Sequence, residues 1–413
     1  MKNCILCGGS NLKKVVNYGK IYQSCFLPYP TFHSDCLLQK EDLSLNECSN
    51  CNFVQLNKFI EPDSMYRQYY YRSSTNASMV SSLKDIETNV SSHFFKLNGN
   101  LPKSILDIGC NDGTLLKIFR KVGSEFNVGF DPANNLASSA SANCDIFIND
   151  YFNDKITFNR KFDVVTSIAM FYDIPKPDEF VKTVVNNLQP SGIWCIQMTD
   201  LMSMFTTTAF DNICHEHIGY YSLNTLNTLL NRNGMKIFDV SYNDVNGSSL
   251  RVLCCHKALN TVEHLEPKVN LALNQEKNFF RVYKWRYFNK NVNVVHNKFK
   301  SALLNFLRGK VYGIGASTKA NTLLQKFKID SSLVAKLLEV TPDKFGKFTP
   351  GSNIPIVSEA EAMEEKPECL VIFPWHFIDN FKVRFKDYLS SGGTLLVPLP
   401  VPKLITKDSE IEI

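Results

Sequence analysis

Short apolar runs separated by polar turns organise the middle of the chain. Ile105-Leu106-Asp107-Ile108 reads as a strand that runs into Gly109-Cys110-Asn111-Asp112-Gly113, and Thr114-Leu115-Leu116 opens an amphipathic helix behind it. About twenty residues after Gly109 a second apolar strand, Asn127-Val128-Gly129-Phe130, ends at Asp131. Runs at residues 144–150, 162–167 and 193–198 continue the alternation of strand and helix, which predicts a doubly wound sheet. Residues 243–252 read as a turn and strand, with Asn246-Gly247 as a hairpin signal. Residues 261–307, with no glycine or proline after Pro267, predict a pair of long amphipathic helices that link domains. Beyond them Lys310-Val311-Tyr312-Gly313-Ile314-Gly315-Ala316-Ser317 repeats the strand-glycine-turn pattern. Apolar runs at 369–373 and 394–397 complete a second α/β sheet, and the tail after Pro402 reads as frayed.

Composition narrows the class. At 413 residues the chain exceeds one hydrophobic core, and 44% apolar with 21% charged residues exclude disorder as its main theme. Lys plus Arg total 45 against 40 acidic residues, and the net +5 is spread without dense basic blocks, so no nucleic-acid partner is expected. No apolar run reaches the roughly 18–20 residues of a membrane span. The start, Met1-Lys2-Asn3-Cys4, lacks the apolar segment of a secretory signal, and the expected address is the cytoplasm, with no membrane partner.

Thirteen cysteines in a reducing compartment point to metal ligation or redox chemistry where their spacing pairs them. Cys4-Ile5-Leu6-Cys7 and Cys48-Ser49-Asn50-Cys51 are two C-x-x-C knuckles, the spacing that brings two thiolates to one tetrahedral zinc. The forty residues between them exceed a compact zinc ribbon and predict a strand-rich insertion over 11–47. A four-cysteine site is closed, so the metal is expected to fold the domain and perform no chemistry.

The turn after Ile108 suits a nucleotide. Gly109 and Gly113 permit close backbone approach, the following helix offers free N–H groups, and Asp131 stands where a ribose diol would sit. The pattern is D-x-G-x-x-x-G and not G-x-G-x-x-G, which disfavours hydride chemistry. Phe210-Asp211-Asn212-Ile213-Cys214-His215-Glu216-His217 is the densest run of ionisable side chains, placed after the fifth strand. If that segment is extended, His215 and His217 share a face and Glu216 points away. One imidazole then serves as a general base, or Cys214, His215 and His217 hold a metal.

The turn and the acidic end of the second strand resemble the class I S-adenosylmethionine (SAM)-dependent methyltransferases over about residues 101–252. That resemblance implies that Asp107 and Gly109 line the methionine side, with Asn111 and Gly113 also in the cofactor turn. It puts Asp131 on the ribose and Asp150 with Tyr151 near the adenine. The knuckles, this domain, the His-Glu-His segment and Gly313-Ile314-Gly315-Ala316-Ser317-Thr318-Lys319-Ala320-Asn321-Thr322 together resemble the three-domain NDP-sugar C-methyltransferases. The implied α/β architecture is a small zinc-binding domain (1–65), a Rossmann-like methyltransferase domain with a helical lead-in (66–258), and a helical linker with a second Rossmann-like domain (259–413).

Such enzymes deprotonate a nucleotide-linked keto-deoxysugar and methylate the enolate. By resemblance His217 is the base, Glu216 orients the sugar, and Tyr71, from the Tyr69-Tyr70-Tyr71 run, closes over the site. The second glycine turn then holds the sugar nucleotide through Gly315, Ser317, Lys319 and Asn321, with Asn246 and Trp375 near the sugar. Two departures stand out: Cys214 replaces a tyrosine and Asp173 a histidine of the family pattern, so both are candidate active-site residues. They keep open an O-methyltransferase on the same scaffold, and a binding protein without turnover is the further alternative. The cofactors expected are SAM and structural Zn²⁺, the partner a small nucleotide sugar, and the state a monomer or weak homodimer.

Overall fold

The computed structural model describes residues 2–156, 158–306 and 310–413. The strand-rich insertion is a hairpin, β1 (Leu12–Tyr22) antiparallel to β2 (Lys40–Cys48), with the short β3 (Val54–Leu56) beside β2. Leu43, Leu45, Val54 and Leu56 are fully buried beneath it. The two knuckles close one end of this sheet: Gly8 N–H donates to Cys4 C=O at 2.9 Å, and Asn52 N–H to Cys48 C=O at 2.8 Å.

The lead-in helix, Ala77–Asn98, starts where the Asn76 side chain accepts from Ser78 and Met79 N–H and stops at Gly99 with φ 74°. The middle sheet follows, with β4 (Ser104–Ile108), β5 (Phe126–Phe130), β6 (Ile146–Ile148), β7 (Phe162–Ile168) and β8 (Leu188–Met198). Then β9 (Gly219–Tyr220) leaves that sheet and pairs with β3, so the stretch just after His217 is sewn into the N-terminal sheet. A hairpin, β10 (Met235–Asn243) and β11 (Ser249–His256), completes the middle sheet in the order β10-β11-β8-β7-β4-β5-β6. β4 through β8 are mutually parallel, and every residue of β4 is buried, which is why three of its five residues are isoleucine or leucine. The chain leaves β4 toward β5 on one side and β7 on the other, so a ligand crevice opens at the C-terminal ends of β4 and β7.

The linker is the expected helix pair, Glu266–Val282 and Trp285–Leu304; Leu307, where the sequence reading ended it, lies outside the described residues. Glu276 ties the first of these helices to the middle domain: its carboxylate accepts from Leu223 N–H at 2.6 Å and Asn224 N–H at 2.8 Å, the opening of the helix Leu223–Arg232. Glu276→Ala strands those donors in a buried place. It is expected to cost about 3 kcal/mol, read as a fall in thermal midpoint.

The third sheet runs β12 (Val311–Ile314), β13 (Lys336–Glu339), β14 (Ile356–Ser358), β15 (Cys369–Ile372), β16 (Thr394–Val397), β17 (Lys403–Ile405) and β18 (Glu410–Glu412) in chain order. Its spatial order is β14-β13-β12-β15-β16-β17-β18, with a second crevice at the ends of β12 and β15. The tail is not frayed: β17 and β18 add antiparallel strands to β16, and Glu410 pairs with Lys382 at 2.6 Å and Lys403 at 3.1 Å. Among the described residues no helix is long and apolar enough to cross a membrane.

Candidate active site

The cofactor turn is built as its glycines suggest. Gly109 has φ +75°, and a Cβ there would come within 2.8 Å of the Met170 side chain. Gly113, φ +76°, opens the helix Thr114–Lys121. Asp131 fastens the turn to the tip of β5, its two oxygens accepting from Asn111 N–H at 2.8 Å and Ala133 N–H at 2.9 Å. Each carboxylate oxygen keeps a further lone pair for a ribose hydroxyl. Asp107, beneath the turn, accepts from Thr166 Oγ1 at 2.6 Å; burial raises its pKa to about 7 and that of Asp131 to about 6. The strand ends, the left-handed glycines and the spare acceptors fit SAM.

The lead-in lies across this turn. Asn111 accepts from Ser73 N–H at 2.9 Å and donates to Tyr71 C=O at 3.1 Å, so Tyr71 covers the cofactor turn, beside Asp112. On the rim, Arg67 donates to Asp150 at 3.3 Å and stacks over the Tyr151 ring, whose hydroxyl donates to Asp63 at 3.0 Å.

The His-Glu-His segment is not extended. Phe210–Asn212 is a 3-10 turn and residues 214–216 bend, so the expected alternation of side chains is lost. His215 faces the N-terminal sheet, near Glu41, Asp42 and Lys58, and does not share a face with His217. Cys214, His215 and His217 do not converge on a metal. Among the described residues the four knuckle cysteines form the one cluster of three or more ligand groups with metal-binding proximity.

His217 does face the crevice. Its Nδ1 lies 2.8 Å from Asn212 C=O, which can only accept, so Nδ1 carries the proton and Nε2 presents a lone pair. Tyr172 packs against the imidazole with ring centroids 4.1 Å apart. Burial, with a contribution from Lys319, lowers the imidazole pKa to about 4. Beside it, Glu216 accepts from Thr318 Oγ1 at 3.1 Å, a bond from the C-terminal domain into the His-Glu-His segment. Tyr66 O–H donates to the Glu216 carbonyl at 3.2 Å, and Tyr69 lies close to Glu216 and Asp173. Thus Tyr66 and Tyr69, not Tyr71, are the lead-in phenols gathered with Glu216. Tyr66 was missed in the sequence, although its three-residue spacing from Tyr69 would bring both to one side of a helical turn. Cys214 is buried, its thiol 3.6 Å from Asn212 C=O, and burial raises its pKa.

The C-terminal turn meets the same place. Gly315 has φ +87°, and Ser317 caps the helix Thr318–Phe327 by accepting from Ala320 N–H at 3.2 Å. Lys319 is enclosed and donates to the Asn246 carbonyl, beside Asp211, so two residues expected to touch substrate bind each other. Trp375 is a buried strut: its indole donates to Asp211 at 2.9 Å, and the ring packs so closely on Gly247 that a Cβ there would clash at 2.8 Å. With Gly247, Ser248, Thr207 and His376 it borders a cavity of about 230 Å³. Asn321 is fully buried, and neither its amide nitrogen nor its oxygen has a partner.

At the far end of the chain's first sheet, Cys4 Sγ lies 3.7 Å from Cys51 Sγ and Cys7 Sγ 3.6 Å from Cys48 Sγ. Tetrahedral thiolates about 2.3 Å from zinc stand about 3.8 Å apart, so the cluster fits the ion.

Parts of this chain are similar to known proteins. The plantazolicin methyltransferase BpumL, solved with S-adenosylhomocysteine and a substrate analogue, is 14% identical, covering 44% of this chain and 88% of its own with a TM-score of 0.37. Magnesium protoporphyrin IX methyltransferase (ChlM) from Synechocystis PCC 6803, solved with SAM, is 14% identical, covering 43% and 81% with a TM-score of 0.33. A family model described as a methyltransferase domain matches residues 85–240, and one described as a C-methyltransferase C-terminal domain matches residues 244–400. The C-methyltransferase NovU of Streptomyces niveus is 27% identical, over 99% of this chain and 98% of NovU. The two matched models, with the similarity to NovU, define a SAM-dependent methyltransferase. More narrowly, the C-methyltransferase C-terminal match and the full-length similarity to NovU support a SAM-dependent C-methyltransferase.

Proposed function

We propose that this enzyme methylates the carbon next to the ketone of a nucleotide-linked keto-deoxysugar, with His217 removing the proton from that carbon. The observation that carries this reading is the fixed tautomer of His217, Nδ1–H held on Asn212 C=O and Nε2 free, in a wall built jointly with the C-terminal domain. Bound SAM supplies an electrophilic methyl group on a sulfonium. His217 Nε2 takes the proton, and the electron pair left on carbon becomes the nucleophile. Glu216, steadied by Thr318, orients the sugar. Asp107, Gly109, Asn111, Gly113 and Asp131 form the cofactor side, with Asp150 and Tyr151 at its adenine end. Gly315, Ser317 and Asn321 line the nucleotide side, and the unpaired Asn321 amide offers both donor and acceptor. Zinc at the knuckles has no part in the chemistry.

The test is exchange of the α hydrogen for deuterium, run with S-adenosylhomocysteine in place of the donor. A base with a lowered pKa stays neutral to lower pH. The exchange rate is therefore expected to hold from neutral pH downward and to fall only as pH nears about 4. An inflection near the ordinary imidazole value of about 6.5 contradicts the assignment, as does a lack of exchange with both ligands bound.

A further inference from the structure

We propose that Asp173 is held as an uncharged carboxylic acid and donates a hydrogen bond to the oxygen on which charge develops as His217 removes the α proton. This rests on the reading of His217 as base. Asp173 ends the 3-10 turn Phe171–Asp173 that follows β7, directly after Tyr172, whose ring lies against His217. Its Oδ1 is buried and has no partner, and the same is true of Glu216 Oε2. A buried orphan of this kind costs about 1–3 kcal/mol, so two of them in one wall mark a place kept for a ligand.

The groups that face Asp173 are Glu216 and Cys214 from the catalytic segment, Tyr66 and Tyr69 from the lead-in, and Tyr172 beside it. None is a cation. Lys319, the ammonium that acts on His217, is committed to the Asn246 carbonyl and neighbours Asp211. Two carboxyls enclosed together without a cation do not both ionise. Glu216 is the better placed to carry the charge, because Thr318 Oγ1–H donates to it at 3.1 Å, whereas the Tyr66 proton beside Asp173 goes to the Glu216 carbonyl. Burial first, and the Glu216 charge second, push the Asp173 carboxyl well above the usual carboxylate range.

A neutral acid is a donor at neutral pH, which an ionised carboxylate is not. As the α C–H bond breaks, its proton goes to His217 Nε2 and the electron pair moves into a new C=C bond, displacing the carbonyl pair onto oxygen. The Asp173 O–H holds that oxygen without losing its proton. When the carbon takes the methyl group, the C=O bond re-forms and the acid is left unchanged. Asp173 thereby supplies the donor that general-base enolisation requires.

The infrared spectrum of the full, ligand-free protein at neutral pH tests the protonation without any substrate. A protonated-carboxyl band, shifted in deuterated water, is expected in the difference spectrum of the unaltered protein minus Asp173→Asn, in which the partly protonated Asp107 common to both cancels, and in the same comparison made in the Glu216→Gln background. Absence of the band, or its loss in Glu216→Gln, overturns the proposal. For the donor role, Asp173→Asn keeps an N–H donor and is expected to retain α-deuterium exchange within about tenfold, whereas Asp173→Ala loses about 10²-fold or more. Equal loss in both means that a carboxylate is needed, and contradicts the donor role. If the unaltered protein shows no exchange, the enolate reading falls and the donor role with it, while the band still reports Asp173 itself.

Discussion

Replacing His217 with alanine is expected to lower methyl transfer by about 10³-fold, within the range of about 10²–10⁴ that a positioned general base contributes. The imidazole is aimed by two contacts, Nδ1–H to Asn212 C=O at 2.8 Å and the Tyr172 ring 4.1 Å away, and neither holds the fold together as a buried ion pair would. The variant should therefore keep its thermal midpoint and its SAM affinity while losing turnover and α-deuterium exchange together. Single-turnover kinetics with a calorimetric SAM titration separate the two. Loss of SAM binding with exchange intact would show that position 217 serves the cofactor and not proton removal.

Stripping the metal is expected to have the largest structural effect. Structural zinc in small domains contributes apparent free energies of about 10–16 kcal/mol at neutral pH, and the knuckles here staple the two ends of β1 and β2. Cys7 is exposed and Cys51 partly so, which gives a chelator access. Unfolding will not stay local, because β9 borrows its pairing from β3 and begins two residues after His217. Chelation, or Cys48→Ser, should melt the first sheet and abolish turnover, and metal analysis should find one zinc per chain. Full activity after verified removal of the metal would break this link.

The strand-turn-helix at 105–116 was legible because a strand buried on both faces is mostly apolar, here with Asp107 as its one carboxyl, and because two left-handed positions demand glycine. The zinc knuckles were legible from spacing alone. The arrangement of the catalytic segment was not. Its bends, and the turn of His215 toward Glu41, depend on β9 joining a sheet whose other strands lie more than 150 residues earlier. Lys319 was read as a ligand contact from the second glycine turn, and Trp375 from its place at a strand's C-terminal end. In the fold they brace Asn246 and Asp211 across domains, partners that no local pattern announces. Tyr66 escaped because its spacing from Tyr69 gains meaning only once Glu216, 150 residues away, is placed beside it.

The central claim, methyl transfer to a carbon made nucleophilic by a neighbouring ketone, is tested most directly by one experiment. The enzyme is incubated with methyl-labelled SAM and a panel of 4-keto-6-deoxy nucleotide sugars in deuterated buffer, and the products are followed by mass spectrometry and carbon NMR. The account predicts a new carbon–carbon bond to the labelled methyl at the α position, in a product that keeps its ketone. A label found on a hydroxyl oxygen, or transfer to a sugar that has no ketone, would contradict it.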